Sequence, residues 1–353
     1  MTIIEKLKNS ERLTYEDAIK LYDLDLFVLA KYANKIREEK HDKKTYFNVN
    51  RHINPTNSCK DVCQFCAYSA SRKNPKPYTM SHDEILSEVA NSVKNGIKEV
   101  HIVSAHNPET GLEWYLEVFK KIKTAYPDIH VKALTAAEIH FLSEEYNKSY
   151  EEIIDLMIEY GVDSMPGGGA EIFDEGVRKR VCGGKVTSQQ WLDIHKLWHE
   201  KGKQSNATML FGHIETREHR IDHMLRLRDL QDETNGFNAF IPLVYQKENN
   251  FLKVKDFLTG QEILKTMSIA RILLDNVPQL KAYWVTSTVK LALLAQEFGA
   301  NDLDGTIEKE SIQSAAGAAS ANGMPMSEFV SLIKNSGFIP VERDSIYNEL
   351  KVW

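Results

Sequence analysis

The chain has 353 residues, 42% of them hydrophobic, enough for one large barrel or two average domains with a sizeable core. A formal charge of −6 with acids and bases interspersed gives no basic stripe, so a small-molecule partner is expected and nucleic acid is not. The opening MTIIEKLKNSERLTYEDAIK carries charges of both signs, and no apolar run reaches membrane-spanning length, so neither export nor membrane association is expected and the cytoplasm is.

From about Thr14 to Lys40 the chain reads as a helical preamble. Thr14 and Asp17 resemble a capping box, and Ala18, Leu21, Tyr22, Leu26 and Val28 supply an apolar face. Residues 1–44 are therefore expected to form a helical extension packed on a barrel of residues 45–353. Residues 45–54 alternate as a first strand, with Asn48, Asn50, His52 and Asn54 on one side and Val49 and Ile53 on the other. This strand delivers the chain into Cys59-Lys60-Asp61-Val62-Cys63-Gln64-Phe65-Cys66, which holds three of the four cysteines.

A helix over Ser81–Asn95, capped by Ser81 with Glu84 and ended by Gly96, precedes a second strand at residues 99–105. Further strands are expected near His130–Thr135, Val162–Met165, Ser205–Phe211, Phe237–Tyr245, Leu280–Thr286 and Ala300–Asp304. Amphipathic stretches such as Tyr150–Tyr160, Ser188–Lys201 and Gly260–Asp275 separate most of them. This alternation points to an α/β fold, a (β/α)8 TIM-type barrel, with a six-stranded open barrel as the alternative. In such a barrel the functional residues gather at the carboxyl ends of the strands.

Thiolates at C-x3-C-x2-C spacing can close around one face of an iron–sulfur cube, leaving one iron without a protein donor. A zinc knuckle needs a fourth ligand at finger-like spacing, and His82 and His101 lie in different segments. Three structural cysteines are the other alternative, and Cys182 is the only candidate for a fourth ligand. Gly167-Gly168-Gly169 lacks the Lys-Ser/Thr of a phosphate loop and reads as either a tight turn that lets a ligand approach the backbone or a plain flexible loop; in the first case Glu171 could accept bonds from ribose hydroxyls. Gly212 to Thr216, including His213 and Glu215, could pack on an adenine or hold a methionyl group, or form a solvated loop. Ser104 and His106 stand at the second strand end, where His106 could accept a proton, hold a carboxylate or serve as a structural hydrogen-bonder. The run Arg178-Lys179-Arg180 reads as a solvated helix face.

The cysteine spacing, with Phe65 before the last cysteine, resembles the signature of the radical S-adenosylmethionine superfamily. Asn50-Arg51-His52-Ile53-Asn54-Pro55-Thr56-Asn57, Phe65-Cys66-Ala67-Tyr68 and Pro166 to Phe173 together resemble the aminodeoxyfutalosine synthase family of menaquinone biosynthesis. Cyclic dehypoxanthinylfutalosine synthase and the F0 synthase subunits share the architecture but tend to carry an aromatic where this chain has Pro55.

The resemblance implies a 4Fe-4S cluster on Cys59, Cys63 and Cys66, with S-adenosylmethionine on its open iron and Phe65, Ser104, Glu171, Gly212 and Glu215 around that cofactor. It implies adenosyl transfer to the aromatic enolpyruvyl ether 3-[(1-carboxyvinyl)oxy]benzoate, and an electron donor such as flavodoxin or ferredoxin. His52 and His106 are the expected catalytic residues, and Arg51, Asn54, His213, Arg217 and Arg220 the expected substrate-binding ones. An iron–sulfur electron-transfer protein is the alternative outside enzymology.

Overall fold

Alternation along residues 44–53 produces two strand segments, β1 (Lys44–Asn48) and β2 (Asn50–Ile53), that lead straight into the cysteine loop. The computed structural model describes residues 2–70, 76–256, 258–318 and 323–353. The later strands are β3 (Glu99–Ile102), β4 (His130–Ala133), β5 (Ser205–Phe211), β6 (Phe237–Val244), β7 (Gln279–Leu280) and β8 (Asp302–Gly305), followed by β9 (Ile339–Arg343) and β10 (Glu349–Val352).

β2, β3 and β4 pair in parallel, as do β5, β6 and β7. Parallel bridges from Lys132 to Ser164 and from Met165 to Ser205 join these groups, and a bridge from Lys281 to Asp302 carries the ring to β8. β8 pairs with β1, and Glu308 with Arg51, so eight strand positions close into a (β/α)8 barrel. The fourth position shrinks to Ser164 and Met165 because Pro166, which has no N–H to offer a ladder, and three glycines follow at once.

Two segments depart from the sequence expectation. The seventh strand ends at Leu280, and Trp284–Ser287 is helical where a strand to Thr286 was expected. A short apolar run is buried equally well in either form, so its composition does not separate the two. At the other end, β9 pairs in parallel with β1 over Lys44–Phe47, and β10 folds back antiparallel onto β9. This C-terminal pair sits beside the N-terminal half of the first strand, where Arg343 Nε donates to Asp302 at 2.7 Å in the barrel interior.

The residues before β1 form the helices Ile3–Lys8, Tyr15–Lys20 and Leu26–His41. Thr14 and Asp17 do form a capping box, but a 3-10 turn at Leu21–Asp23 interrupts, and Asp25 caps a new helix by accepting from Phe27 N and Val28 N. The fully buried Arg37 ties that helix to the barrel by donating to the carbonyls of Ala300, Asp42 and Lys44. Among the described residues no helix is long and apolar enough to cross a membrane.

Candidate active site

A cavity of about 280 Å³ opens at the carboxyl ends of the barrel strands. Its lining includes His52 and Asn54 from the first strand, Ser104 and His106 after β3, Pro166 to Gly169 with Glu171, and all of Cys59, Cys63, Phe65 and Cys66. An adjoining chamber of about 500 Å³ shares His52, Asn54 and Tyr68 and extends to Tyr78, Glu88 and Lys309.

The cysteine loop is irregular, so its shape comes from bonds to its neighbours. Lys60 N donates to His106 O at 2.9 Å, Gln64 N to Val181 O at 2.7 Å, and Phe251 N to Gln64 O at 2.8 Å. His106 Nδ1 lies 2.8 Å from Asp61 Oδ2, and its ring stacks on Phe141 at 5.0 Å between centroids. Burial pushes the Cys59 and Cys63 thiols upward, so each must give up a proton to bind a metal.

Three thiols on one cavity fit the donor set of a cluster with an open iron. Among the described residues no three His, Cys, Asp or Glu side chains are grouped as for a single metal ion. Cys182 is buried beside the loop but does not line the cavity, and burial pushes its thiol up to about 11.

Gly167, Gly168 and Gly169 make part of the wall, and close approach is what requires them. A Cβ on Gly167 would lie 2.7 Å from the Asn206 carbonyl oxygen, one on Gly168 2.8 Å from Thr135 Cγ2, and one on Gly169 2.7 Å from Ala137 Cβ. Beneath this turn Arg178 is buried and donates to the carbonyls of Gly169, Ala170, Ile172 and Val186, so it is a clamp rather than the solvated residue that its basic neighbours suggested. Glu171 follows with φ of 46°, a left-handed backbone that turns its carboxylate to the cavity. Lys185 Nζ donates to Glu171 Oε1 at 2.9 Å; burial works against its charge, but the carboxylate holds it well above the usual lysine range.

Ser104 N donates to Glu138 Oε1 at 2.8 Å and Thr135 N to Glu138 Oε2 at 2.7 Å, which fixes the β3 exit against the helix Ala136–Tyr146. Burial raises this carboxyl to about 7 despite those donors. Lower in the barrel, His52 and His101 meet at 3.4 Å, ring edge to face, and burial pushes both below the ordinary histidine range. Lys281 donates to Asp304 at 2.7 Å; burial opposes ionisation there, but Lys281 and Arg343 bring the carboxyl down to about 2.

The cavity thus collects His52, Asn54, Phe65, Ser104, His106, Glu171 and the three cysteines. It does not collect Arg51, which follows the opposite side of β2 and pairs with Glu88 at 2.8 Å. Nor does it collect Gly212, His213, Glu215, Arg217 or Arg220. Glu215 accepts from Gly212 N at 2.6 Å, His213 N at 2.8 Å and Arg220 Nε at 2.8 Å, and Arg220 and Arg217 share Glu262. These polar groups satisfy one another outside the cavity, with the Arg220 guanidinium 5.2 Å from the Phe211 ring centroid.

Asp61, His101, Lys185, Tyr283 and Glu310 line the cavity without having been proposed as site residues from sequence, and Asp304 lines it from the expected end of the last strand. His101 was legible, since it alternates with the inward Glu99 on β3; Lys185 had no local signal at all.

Residues 53–227 match the model of the Radical SAM superfamily, and residues 234–352 that of the CofH/MqnC C-terminal region. Aminodeoxyfutalosine synthase of Thermus thermophilus is 42% identical over 99% of this chain and 96% of its own. Cyclic dehypoxanthine futalosine synthase of Halalkalibacterium halodurans is 34% identical over 99% of this chain and 95% of its own. Among solved structures, the FeFe-hydrogenase maturase HydG from Carboxydothermus hydrogenoformans shares the fold, with a TM-score of 0.78 at 16% identity over 98% of this chain and 80% of that one. With likeness at this level running the length of the chain, it belongs to the aminodeoxyfutalosine synthase family of radical S-adenosylmethionine enzymes, whose cofactors are a 4Fe-4S cluster and S-adenosylmethionine.

Proposed function

We propose that this enzyme joins the adenosyl group of S-adenosylmethionine to 3-[(1-carboxyvinyl)oxy]benzoate, yielding aminodeoxyfutalosine, methionine and bicarbonate in menaquinone biosynthesis. The observation that carries this reading is that the three thiols, the Gly167–Glu171 turn and the His52–Asn54 strand face one cavity. When bound, the reduced cluster supplies the electron that cleaves S-adenosylmethionine and so furnishes the adenosyl group in radical form.

The chain's own work is binding, orientation and exclusion. Cys59, Cys63 and Cys66 hold the cluster, with Phe65 and Ser104 beside the cofactor. Glu171, paired with Lys185 at 2.9 Å, accepts from ribose hydroxyls, while the glycine turn lets the cofactor come against the backbone. The aromatic acid enters the His52 side of the cavity, where Asn54 and the neutral His52–His101 couple present hydrogen-bonding groups. His52 is the group placed to pass a proton as the carboxyl group departs. His106 acts through Asp61 to hold the cysteine loop in register. Arg51, His213, Arg217 and Arg220 have carboxylate partners of their own and take no part in substrate binding in this scheme. The electron comes from a carrier such as flavodoxin or ferredoxin, and the cytoplasm, which keeps thiols reduced, is the compartment.

Anaerobic reconstitution, reduction with dithionite and incubation with S-adenosylmethionine and the enolpyruvyl benzoate tests the scheme. Aminodeoxyfutalosine should accumulate. Conversion of dehypoxanthine futalosine instead would place the chain with the cyclase, and an inert cofactor would leave only an electron-transfer role.

A further inference from the structure

We propose that the face around Gln64 is the docking surface for an acidic, low-potential flavodoxin that reduces the cluster. This rests on the reading of the cysteine loop as a reducible cluster site, and adds where on the molecule the electron enters.

Gln64 lies between Cys63 and Cys66, and two segments are bonded to its backbone: Val181 through Gln64 N at 2.7 Å and Phe251 through Gln64 O at 2.8 Å. Each brings exposed cations. Lys179 and Arg180 occupy the last turn of helix Glu175–Cys182, and Lys253 and Lys255 follow Phe251. None of these four forms an ion pair among the described residues, although other exposed lysines do, such as Lys60 with Glu145, Lys196 with Glu233 and Lys201 with Glu151.

Of the acids on the two segments, Asp174 is engaged with Val177 N at 2.7 Å and Glu175 with Ser188 N at 2.7 Å, which leaves Glu248 and Asp256 against the four cations. Val62, 55% exposed on the same loop, adds an apolar contact. In a chain of net charge −6 this local excess of cations stands on two segments bonded to Gln64, between the cluster ligands Cys63 and Cys66. An anionic partner is steered to such a patch and oriented by it. The carrier's anionic flavin hydroquinone gives one electron to the oxidised cluster and becomes the neutral semiquinone; no proton moves and no bond forms.

The test uses reconstituted holoprotein in two charge-reversed forms of equal net charge. One carries Lys179→Glu, Arg180→Glu, Lys253→Glu and Lys255→Glu; the control carries Lys8→Glu, Lys31→Glu, Lys43→Glu and Lys334→Glu, all exposed and outside the two segments. Cluster bleaching is followed by stopped flow with flavodoxin hydroquinone at low and high salt, and flavodoxin affinity is measured separately by calorimetry. The first variant should be reduced at least about 10-fold more slowly than wild type at low salt and bind correspondingly weakly, with the difference shrinking at high salt. The control should stay near the wild-type rate, and dithionite should reduce all three alike. Equal flavodoxin rates, an equal fall in the control, or a dithionite defect in the first variant overturns the docking face. Failure of dithionite-reduced wild type to cleave S-adenosylmethionine overturns the underlying cluster reading instead.

Discussion

His106 Nδ1 stands 2.8 Å from Asp61 Oδ2, with both side chains almost wholly buried, and so joins the exit of β3 to the middle of the cysteine loop. The Asp61 carboxyl is held below the usual range by His106 although burial pulls the other way. Truncating His106 takes away the ring that faces this buried carboxylate, at about 1–3 kcal/mol. His106→Ala should therefore lower the melting temperature and lose iron faster in air than wild type. Unchanged iron retention, measured by colorimetric assay over time, would remove His106 from any role in holding the loop.

Cluster ligation separates the four cysteines. Cys59→Ala, Cys63→Ala and Cys66→Ala should each abolish the reconstituted cluster, read from its visible absorption and iron content. Cys182→Ala should retain both and cost on the order of 1 kcal/mol in stability, because it empties only a small buried volume outside the cavity. Loss of the cluster in Cys182→Ala would point to a fully protein-ligated centre.

The glycine turn makes a steric prediction. The atom nearest a Cβ on Gly167 is the backbone oxygen of Asn206 at 2.7 Å, on β5, which cannot rotate away. Gly167→Ala should cost at least about 2 kcal/mol and disturb the cavity wall. Gly184, with nothing within 4 Å but φ of +99°, should cost only about 1 kcal/mol when changed to Ala. Chemical denaturation of the two variants compares them directly.

Glu171 gives an affinity prediction. Glu171→Gln keeps the shape and removes the charge that Lys185 neutralises, leaving a buried cation unpaired. S-Adenosylmethionine should bind roughly 10-fold more weakly, equivalent to about 1.4 kcal/mol. Calorimetry on the reconstituted protein reads this without turnover, and wild-type affinity in the variant would take Glu171 out of the cofactor site.

Glu138 makes stability depend on pH. Burial raises its carboxyl from 4.5 to about 7 in the folded chain. Here the folded state binds the proton more tightly than the unfolded one, so stability is highest with Glu138 protonated and falls as pH rises from about 4.5 through 7. The loss attributable to this residue is roughly 3 kcal/mol, because each tenfold difference in proton affinity between the two states is worth about 1.4 kcal/mol. Glu138→Gln should abolish it, so the stability of wild type relative to the variant should drop between about pH 5 and about pH 8. A constant difference in denaturation free energy would contradict the assignment.

Much of this molecule was legible along the chain because the deciding forces act over a few residues. Three cysteines within eight positions define a ligand set by spacing alone, and Ser81 with Glu84 starts a helix by an exchange of bonds within one turn. Strands and helices recur at βαβ spacing, which limits the topology before any contact is known.

Other features required the closed barrel. Lys185 meets Glu171 only because the helix Glu175–Cys182 returns the chain to the cavity, and Arg178 is buried only because the glycine turn lies across it. Gly212 to Arg220 stand near a strand end, as a binding loop would, yet their charges are consumed by one another and by Glu262, a partner more than forty residues away. Local pattern selects which elements form and which face is apolar. Which polar group remains unmatched at the cavity depends on partners distant in sequence, and those are set only when the ring of strands closes.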